Sequence, residues 1–263
     1  MTTRLVTSDG TRIAFEFAGN PDGAPLIFLH SLGSSHAQWQ PQVEALADTY
    51  RILVVDTRGH GASDAPAGDY TLATLAMDVV ELADMAGFAT FHLCGLSLGG
   101  MMAQWIAIHH GHRLRTLTLA NTGAKIGTPE SWNERAEIAR TQGMTPLLDA
   151  VLARWFTPAF GPAHPETIDR LKATLATTDP TGYSGCCAAL RDADLRAEVP
   201  QITARSLLIA STHDGATPPS DLTFLHANIS GSHLHLIEEA SHISNIEAPA
   251  EFTAALAGHL SQP

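Results

Sequence analysis

Ser97, Asp214 and His242 are far apart in this chain, but together they are the residue types that turn an alcohol into a nucleophile. A serine hydroxyl attacks poorly at neutral pH. It needs a base within hydrogen-bond reach, and the base needs an acid to orient it. Ser97 stands in Cys94-Gly95-Leu96-Ser97-Leu98-Gly99-Gly100-Met101, which contains a G-x-S-x-G match. The apolar run Phe91 to Cys94 precedes it, and a helix-like stretch from Met101 to His109 follows. Strand, sharp turn, helix is the context that pushes a serine hydroxyl into a cleft at the end of a sheet. The turn strains the serine backbone, so the side chains two residues away on either side must nearly vanish.

Of fourteen histidines, His242 best fits the base. It lies in Glu239-Ala240-Ser241-His242, just after the last predicted strand, at the carboxyl edge of the sheet. His233 and His235 fall on or beside that strand and read as structural. His109, His110 and His112 end the helix after Ser97. No acidic ligand accompanies them, and a helix C-terminus that favours cationic imidazoles explains them better than a metal does. The acid is Asp214, in Thr212-His213-Asp214-Gly215, after the strand Ser206 to Ala210. An Asp before Gly also serves as a plain turn former. Asp192 and Asp194 are the next candidates.

Acyl transfer also needs donors for the oxyanion. The N–H of Leu98, next after the serine, supplies one. The loop His30-Ser31-Leu32-Gly33 should supply the other, by position the N–H of Leu32. Arg58 and His60 lie in the loop after Asp56 and are read as positioning the serine turn.

These groups need a frame that brings distant loops to one edge. Strand-like and helix-like segments alternate along the first half of the chain. Leu5 to Thr7 and Arg12 to Phe17 flank the hairpin signal Asp9-Gly10. Leu26 to Leu29 and Ile52 to Val55 are continuous apolar runs, as in strands buried on both faces. A short helix is expected near Val43 to Ala47, and Leu72 to Met85 has helical spacing. Leu114 to Leu119 reads as a further strand. This order predicts an α/β fold with a mostly parallel sheet flanked by helices.

From about Ala124 to Arg196 no buried strand is evident. Pro129 to Gln142, Pro146 to Phe156, Pro165 to Thr177 and Gly182 to Leu190 read as helices, each beginning near a proline or glycine. Alternation then resumes with Ser206 to Ala210, a helix around Leu222 to Ala227, Leu234 to Ile237 and a last helix from Pro249 to Leu260. The expected division is a core of residues 1–123 and 197–263 with a helical cap, 124–196, inserted before the last strands and lying over the strand ends.

The chain has 263 residues, a hydrophobic share of 44%, only 6% aromatics and a formal net charge of −12. Its length suits one large α/β domain. The acidic balance disfavours nucleic acid and anionic membranes as partners, and any anionic substrate must be held by local cations. Homo-oligomerisation is left open. Three cysteines make no disulfide framework. Neither a signal-like apolar segment nor a run of membrane-spanning length is evident, so a cytoplasmic protein is expected. Nothing in the chemistry calls for a metal or an organic cofactor.

With these residues in place, the whole chain resembles an α/β-hydrolase. More narrowly it resembles the 3-oxoadipate enol-lactonases. The resembling stretches are SLGSS with Trp39 after it, DTRGHGASDAP, CGLSLGGM with AQW, NTGAKIGT, RWFTPAF, CCAALRDADLR and TPP. Two positions depart from the usual pattern. His30 stands where asparagine is more frequent in that family, and Ser31 where the wider superfamily more often has glycine. The resemblance implies opening of a five-membered enol-lactone that bears a carboxylate, giving 3-oxoadipate, through an acyl-enzyme. Lys125, Arg135, Arg154 and Arg191 are available to hold that carboxylate. Arg135 is preferred, on one helical face with Trp132, and Trp132 and Trp155 are expected as pocket walls. A carboxylesterase, thioesterase or perhydrolase would share the same serine, acid and base. A small-acid binding protein on the same fold is the alternative of another class.

Overall fold

Runs of Val, Ile, Leu and Phe cannot sit at a solvent face, and here they form the centre of a single sheet. The computed structural model describes residues 3–261. Residues 1, 2, 262 and 263 of the expected core lie outside that range. The strands are β1 (Thr3–Val6), β2 (Arg12–Gly19), β3 (Ala24–Leu29), β4 (Tyr50–Val55), β5 (Phe91–Leu96), β6 (Leu114–Ala120), β7 (Ser206–Ser211) and β8 (His233–Ile237). They lie in the order β1-β2-β4-β3-β5-β6-β7-β8. The pairs from β4 through β8 are parallel, and only β1–β2 and β2–β4 are antiparallel. Every residue of β5 and β7 is buried, as a strand covered on both faces requires.

The helices are α1 (Gln40–Leu46), α2 (Leu72–Met85), α3 (Leu98–His109), α4 (Pro129–Gln142), α5 (Leu148–Trp155), α6 (Phe160–Ala163), α7 (Pro165–Thr177), α8 (Pro180–Asp192), α9 (Pro219–Asn228), α10 (Ser244–Glu247) and α11 (Pro249–Leu260). α2 and α4 begin with threonine caps. Thr71 accepts from the Thr74 N–H, and Thr128 forms a reciprocal capping box with Ser131. Trp39 joins the layers. Its ring stacks on Phe28 of β3 with centroids 4.6 Å apart and tilts against Phe252 of α11 at 5.9 Å. Among the described residues no helix is long and apolar enough to cross a membrane.

Several boundaries differ from the sequence reading, each for a local reason. β1 ends at Val6 because Thr7 already turns: its N–H and hydroxyl both donate to the Thr11 carbonyl. α3 starts at Leu98 rather than Met101, since Gly99 and Gly100 are helical and packed. The stretch Pro146 to Phe156 divides into a 3-10 turn, Thr145–Leu147, and α5. α6 and α10 are single turns, too short to leave a periodicity in the sequence.

Helices α4 to α8 all lie between β6 and β7 in the chain. The two ends of this segment meet, where the Leu195 N–H donates to the Ala124 carbonyl at 2.8 Å. The segment is seated on the β4–α2 loop. Gly59 and Gly182 touch backbone to backbone, so that a Cβ on either would fall within 2.4 Å of the other. The Tyr70 N–H donates to the Gly185 carbonyl, and the Tyr70 ring lies against Gly185.

The close approach of α3 to β3 predicts an unequal pair of Gly→Ala variants. A Cβ at Gly99 would lie 2.2 Å from the Leu29 carbonyl oxygen, whereas one at Gly258 in α11 meets nothing within 4 Å. In urea denaturation Gly99→Ala should lose ~3 kcal/mol or more of stability. Gly258→Ala should gain up to ~1 kcal/mol from helix propensity.

Candidate active site

Ser97 has φ 58° and ψ −115°, a left-handed conformation that an L-residue rarely adopts. The neighbouring sequence makes it reachable. A Cβ at Gly95 would sit 2.1 Å from the Gly99 carbonyl oxygen, so only glycine lets β5 turn directly into α3. The backbone of Ser97 is held from β6: its N–H donates to the Ala120 carbonyl at 3.1 Å, and Thr122 Oγ1 donates to its carbonyl at 2.8 Å.

His242 and Asp214 meet from two other loops. Their Nδ1–Oδ2 distance is 2.8 Å, and both side chains are nearly fully buried. A carboxylate only accepts, so Nδ1 carries the proton and Nε2 is left free to accept another. Asp214 receives further donors. The Ala216 and Thr217 N–H groups reach Oδ1 at 2.8 and 2.9 Å, and Thr217 Oγ1 reaches Oδ2 at 2.7 Å. Burial pushes the Asp214 carboxyl up, but the charge and hydrogen bond of His242 and the donors of Thr217 outweigh it and hold it at about 2. Its ionised form therefore adds stability above the unpaired value of 3.8, and that contribution is lost as pH falls through about 2.

Ser97 and His242 line one cavity of about 250 Å³. This is below the ~300–1,000 Å³ usual for drug-sized ligands and suits a small molecule. Ser31 and Leu32 form part of its floor. Ile126, Trp132, Arg135, Arg154 and Trp155, from the helical segment, form the facing wall.

The Leu32 loop is fixed by side chains around it. The Ser31 N–H donates to Gln38 Oε1 at 3.1 Å, and the Gly33 N–H donates to His60 Nε2 at 2.8 Å. Among the described residues the N–H of Leu32, between them, makes no hydrogen bond. Leu98 opens α3, so its N–H has no acceptor within the helix. His30 anchors the same loop: Nδ1 donates to the Ser31 carbonyl at 2.7 Å, and Nε2 accepts from the Thr57 N–H at 3.0 Å. A histidine here thus binds backbone on both sides. Burial, helped by the neighbouring His30, pushes His60 down to about 3, so it stays a neutral acceptor.

The sequence reading placed Arg58 and His60 beside the serine turn. His60 instead holds the Leu32 loop, and Arg58 makes a buried bidentate pair with Asp78 and a third bond to Asp9.

The four candidate cations separate clearly. Lys125 pairs with Asp194, and Arg191 with Asp69 and Asp192. These pairs also occupy both of the alternative acids. Arg135 and Arg154 line the cavity, and among the described residues neither has a carboxylate partner. Arg135 donates to the Tyr183 hydroxyl, and its guanidinium lies 4.9 Å from the Trp132 ring centroid. Trp132 is itself fixed by its indole N–H, which donates to the Ile126 carbonyl at 2.6 Å. Cys186 and Cys187 are fully buried in α8, and burial drives both thiols up, Cys187 to about 12. They pack against the core, with the thiols held in the neutral form that disfavours nucleophilic attack.

Two features had no readable signal in the sequence. Ser241 and Ile243, on either side of His242, donate to the carbonyls of Arg154 and Trp155 at the end of α5. Glu247 completes this junction. One of its oxygens accepts from the Ser241 N–H at 2.7 Å and the other from the Thr157 N–H at 2.9 Å. The second feature is Asn121, at the end of β6, whose amide reaches Asp214.

Replacing His60 by Phe removes the acceptor of the Gly33 N–H and frees the Leu32 loop. The expected result is a fall of about 10-fold to 100-fold in kcat for ester cleavage with far-ultraviolet dichroism unchanged.

A family model for the α/β-hydrolase fold matches residues 24–249. The chain is 39% identical over 251 residues to 3-oxoadipate enol-lactonase 2 of Acinetobacter baylyi, covering 95% of this chain and 94% of that one. It is 36% identical to 3-oxoadipate enol-lactonase 1 of the same organism, covering 97% and 95%. The crystal structure of the enol-lactonase from Burkholderia xenovorans LB400 superposes with a TM-score of 0.97 at 38% identity, over 99% of this chain and 100% of that chain. The chain belongs to the α/β-hydrolase family, among its 3-oxoadipate enol-lactonases.

Proposed function

We propose that this protein hydrolyses 3-oxoadipate enol-lactone to 3-oxoadipate, a late step of aromatic-acid catabolism, with Ser97, His242 and Asp214 as nucleophile, base and acid. One observation carries the reading. The small cavity that contains Ser97 and His242 is also lined by two arginines that have no carboxylate partner among the described residues, in a chain of net charge −12. An anion must be expected there, and the substrate is a small ester with a carboxylate.

Ser97 Oγ attacks the lactone carbonyl carbon while its proton passes to His242 Nε2. The carbonyl oxygen becomes an oxyanion, which rests on the N–H groups of Leu98 and Leu32. Asp214, ionised down to about pH 2, stabilises the imidazolium throughout. Collapse of the intermediate breaks the ring C–O bond. The leaving group is an enolate, a much better leaving group than an alkoxide; it takes the proton held on His242 Nε2 and becomes a ketone, which returns His242 to its neutral form. His242 then takes a proton from water, whose oxygen attacks the acyl-enzyme; the Ser97 Oγ–acyl bond breaks, the proton passes from His242 back to Ser97 Oγ, and the second carboxylate is released. Arg135, with Trp132 and Trp155 as walls, holds the existing carboxylate, and Arg154 adds a second positive charge. Residues 124–196 act as the cap that shapes this binding half, while residues 1–123 and 197–263 carry the reacting groups.

Loss of the enol-lactone ultraviolet band on adding the protein tests the reaction directly. Ser97→Ala should lower kcat by at least ~10⁴, and Asp214→Asn by roughly 10⁴. Arg135→Ala and Arg154→Ala should each raise KM for the lactone about 10-fold, from loss of a charged contact. Neither should alter turnover of a neutral aryl acetate. Unchanged KM values in both would remove the anion assignment, and equal rates on aryl acetates and the lactone would favour a general carboxylesterase.

A further inference from the structure

We infer that Asn121 is a positioning residue that holds Asp214, and through it His242, in register with Ser97. The inference rests on the triad assignment above.

Three consecutive residues, the last of β6 and the two that follow it, bond Ser97 and Asp214 and reach the loop of His242. Ala120 and Thr122 hold the backbone N–H and carbonyl of Ser97. Between them, Asn121 is fully buried, and its side chain faces the acid and the base loop. Its Nδ2 lies 3.0 Å from Asp214 Oδ2, 3.0 Å from Ser211 Oγ and 3.5 Å from the Ser241 carbonyl. Its Oδ1 accepts from Ser244 Oγ at 2.6 Å. The orientation of the amide follows from chemistry. The Asp214 carboxylate has no proton to give, so the nitrogen must face it, and the Ser244 hydroxyl supplies the hydrogen for the oxygen.

The other donors to Asp214, His242 apart, are Ala216 and Thr217, which belong to the loop of Asp214 itself and move with it. Among the described residues Asn121, just after β6, is the donor that comes from neither the Asp214 loop nor the His242 loop. It references the carboxylate to β6, the strand to which Ser97 is bonded. It also touches the base loop before and after His242, at the Ser241 carbonyl and the Ser244 hydroxyl. The backbone is committed to this use. Asn121 has φ 42°, in the left-handed region, where asparagine is among the few tolerated side chains.

The amide donates to the same oxygen, Oδ2, that accepts from His242 Nδ1. It therefore draws off part of the charge that the imidazolium would otherwise see. Removing it should loosen the geometry and at the same time strengthen the remaining bond to His242.

Asn121→Gly tests this, because glycine keeps the left-handed backbone and deletes only the amide. Two rates should be read: turnover of the enol-lactone, and covalent labelling of Ser97 by a fluorophosphonate probe, which does not depend on the lactone being the substrate. The expected result is a fall of about 10-fold to 100-fold in kcat and in labelling, well short of the ~10⁴ expected for loss of Asp214 function. KM should stay within about twofold and the acid limb of the pH profile should move upward, as expected when one donor to the acid is lost. Labelling at the wild-type rate with a wild-type pH profile would overturn the proposal. If Asn121→Gly does not fold, Ser244→Ala removes only the bond that orients the amide. It should give a smaller loss, about 3-fold to 10-fold, in the same direction, and wild-type behaviour there would equally overturn it. A wild-type protein that the probe does not label would instead overturn the triad itself.

Discussion

Everything at this site depends on one strained turn. Ser97 must stand in a left-handed conformation for its hydroxyl to leave the strand–helix corner, and an L-residue does so only where its surroundings leave no other option. Here the surroundings are close backbone contacts. α3 begins immediately after Ser97 and runs so near β3 that Gly99 lies against the Leu29 carbonyl, while Gly95 lies against Gly99. The bonds from Ala120 and Thr122 then fix the serine backbone on its other side. β3, β5 and β6 are adjacent in the sheet, so the nucleophile is held by the central strands.

The electrostatics follow a division between ionised and neutral buried groups. Asp214 is buried yet stays charged, because five donors surround it. His30 and His60 are buried and are pushed toward the neutral form by that burial, which lets their ring nitrogens accept backbone N–H groups. The Leu32 loop depends on that neutrality. Opposite, Arg135 and Arg154 present positive charge to the cavity, with no carboxylate partner among the described residues to quench it. The site thus separates a reacting half, built by strand ends, from an anion-holding half, built by helices.

The two halves are joined at His242. Its flanking residues bond the end of α5, and Glu247 ties Ser241 to Thr157. The residues that line the anion side and the loop that carries the base therefore share a hydrogen-bonded seam. A protein that must orient a small ring ester before cleaving it gains from such a connection, since sub-ångström placement governs the attack.

The strands, the serine turn and the long helices were legible in the sequence because each rests on a local pattern. Leu72–Met85 shows helical periodicity, Pro129–Gln142 begins at a proline, Leu26 to Leu29 and Ile52 to Val55 are uninterrupted apolar runs, and G-x-S-x-G demands a steric solution that only glycine gives. Single-turn helices such as Ser244–Glu247 were not legible, being too short to have a period. The sequence by itself determined the residue types available for attack, the parallel sheet, and the four cations from which an anion site could be built. Only the tertiary structure decided which cations are free, which loop His60 supports, and that Asn121 reaches across to Asp214. Those outcomes depend on partners distant in the chain, Lys125 with Asp194 or Asn121 with Asp214, and no local pattern encodes which side chains meet when separate strand ends come together.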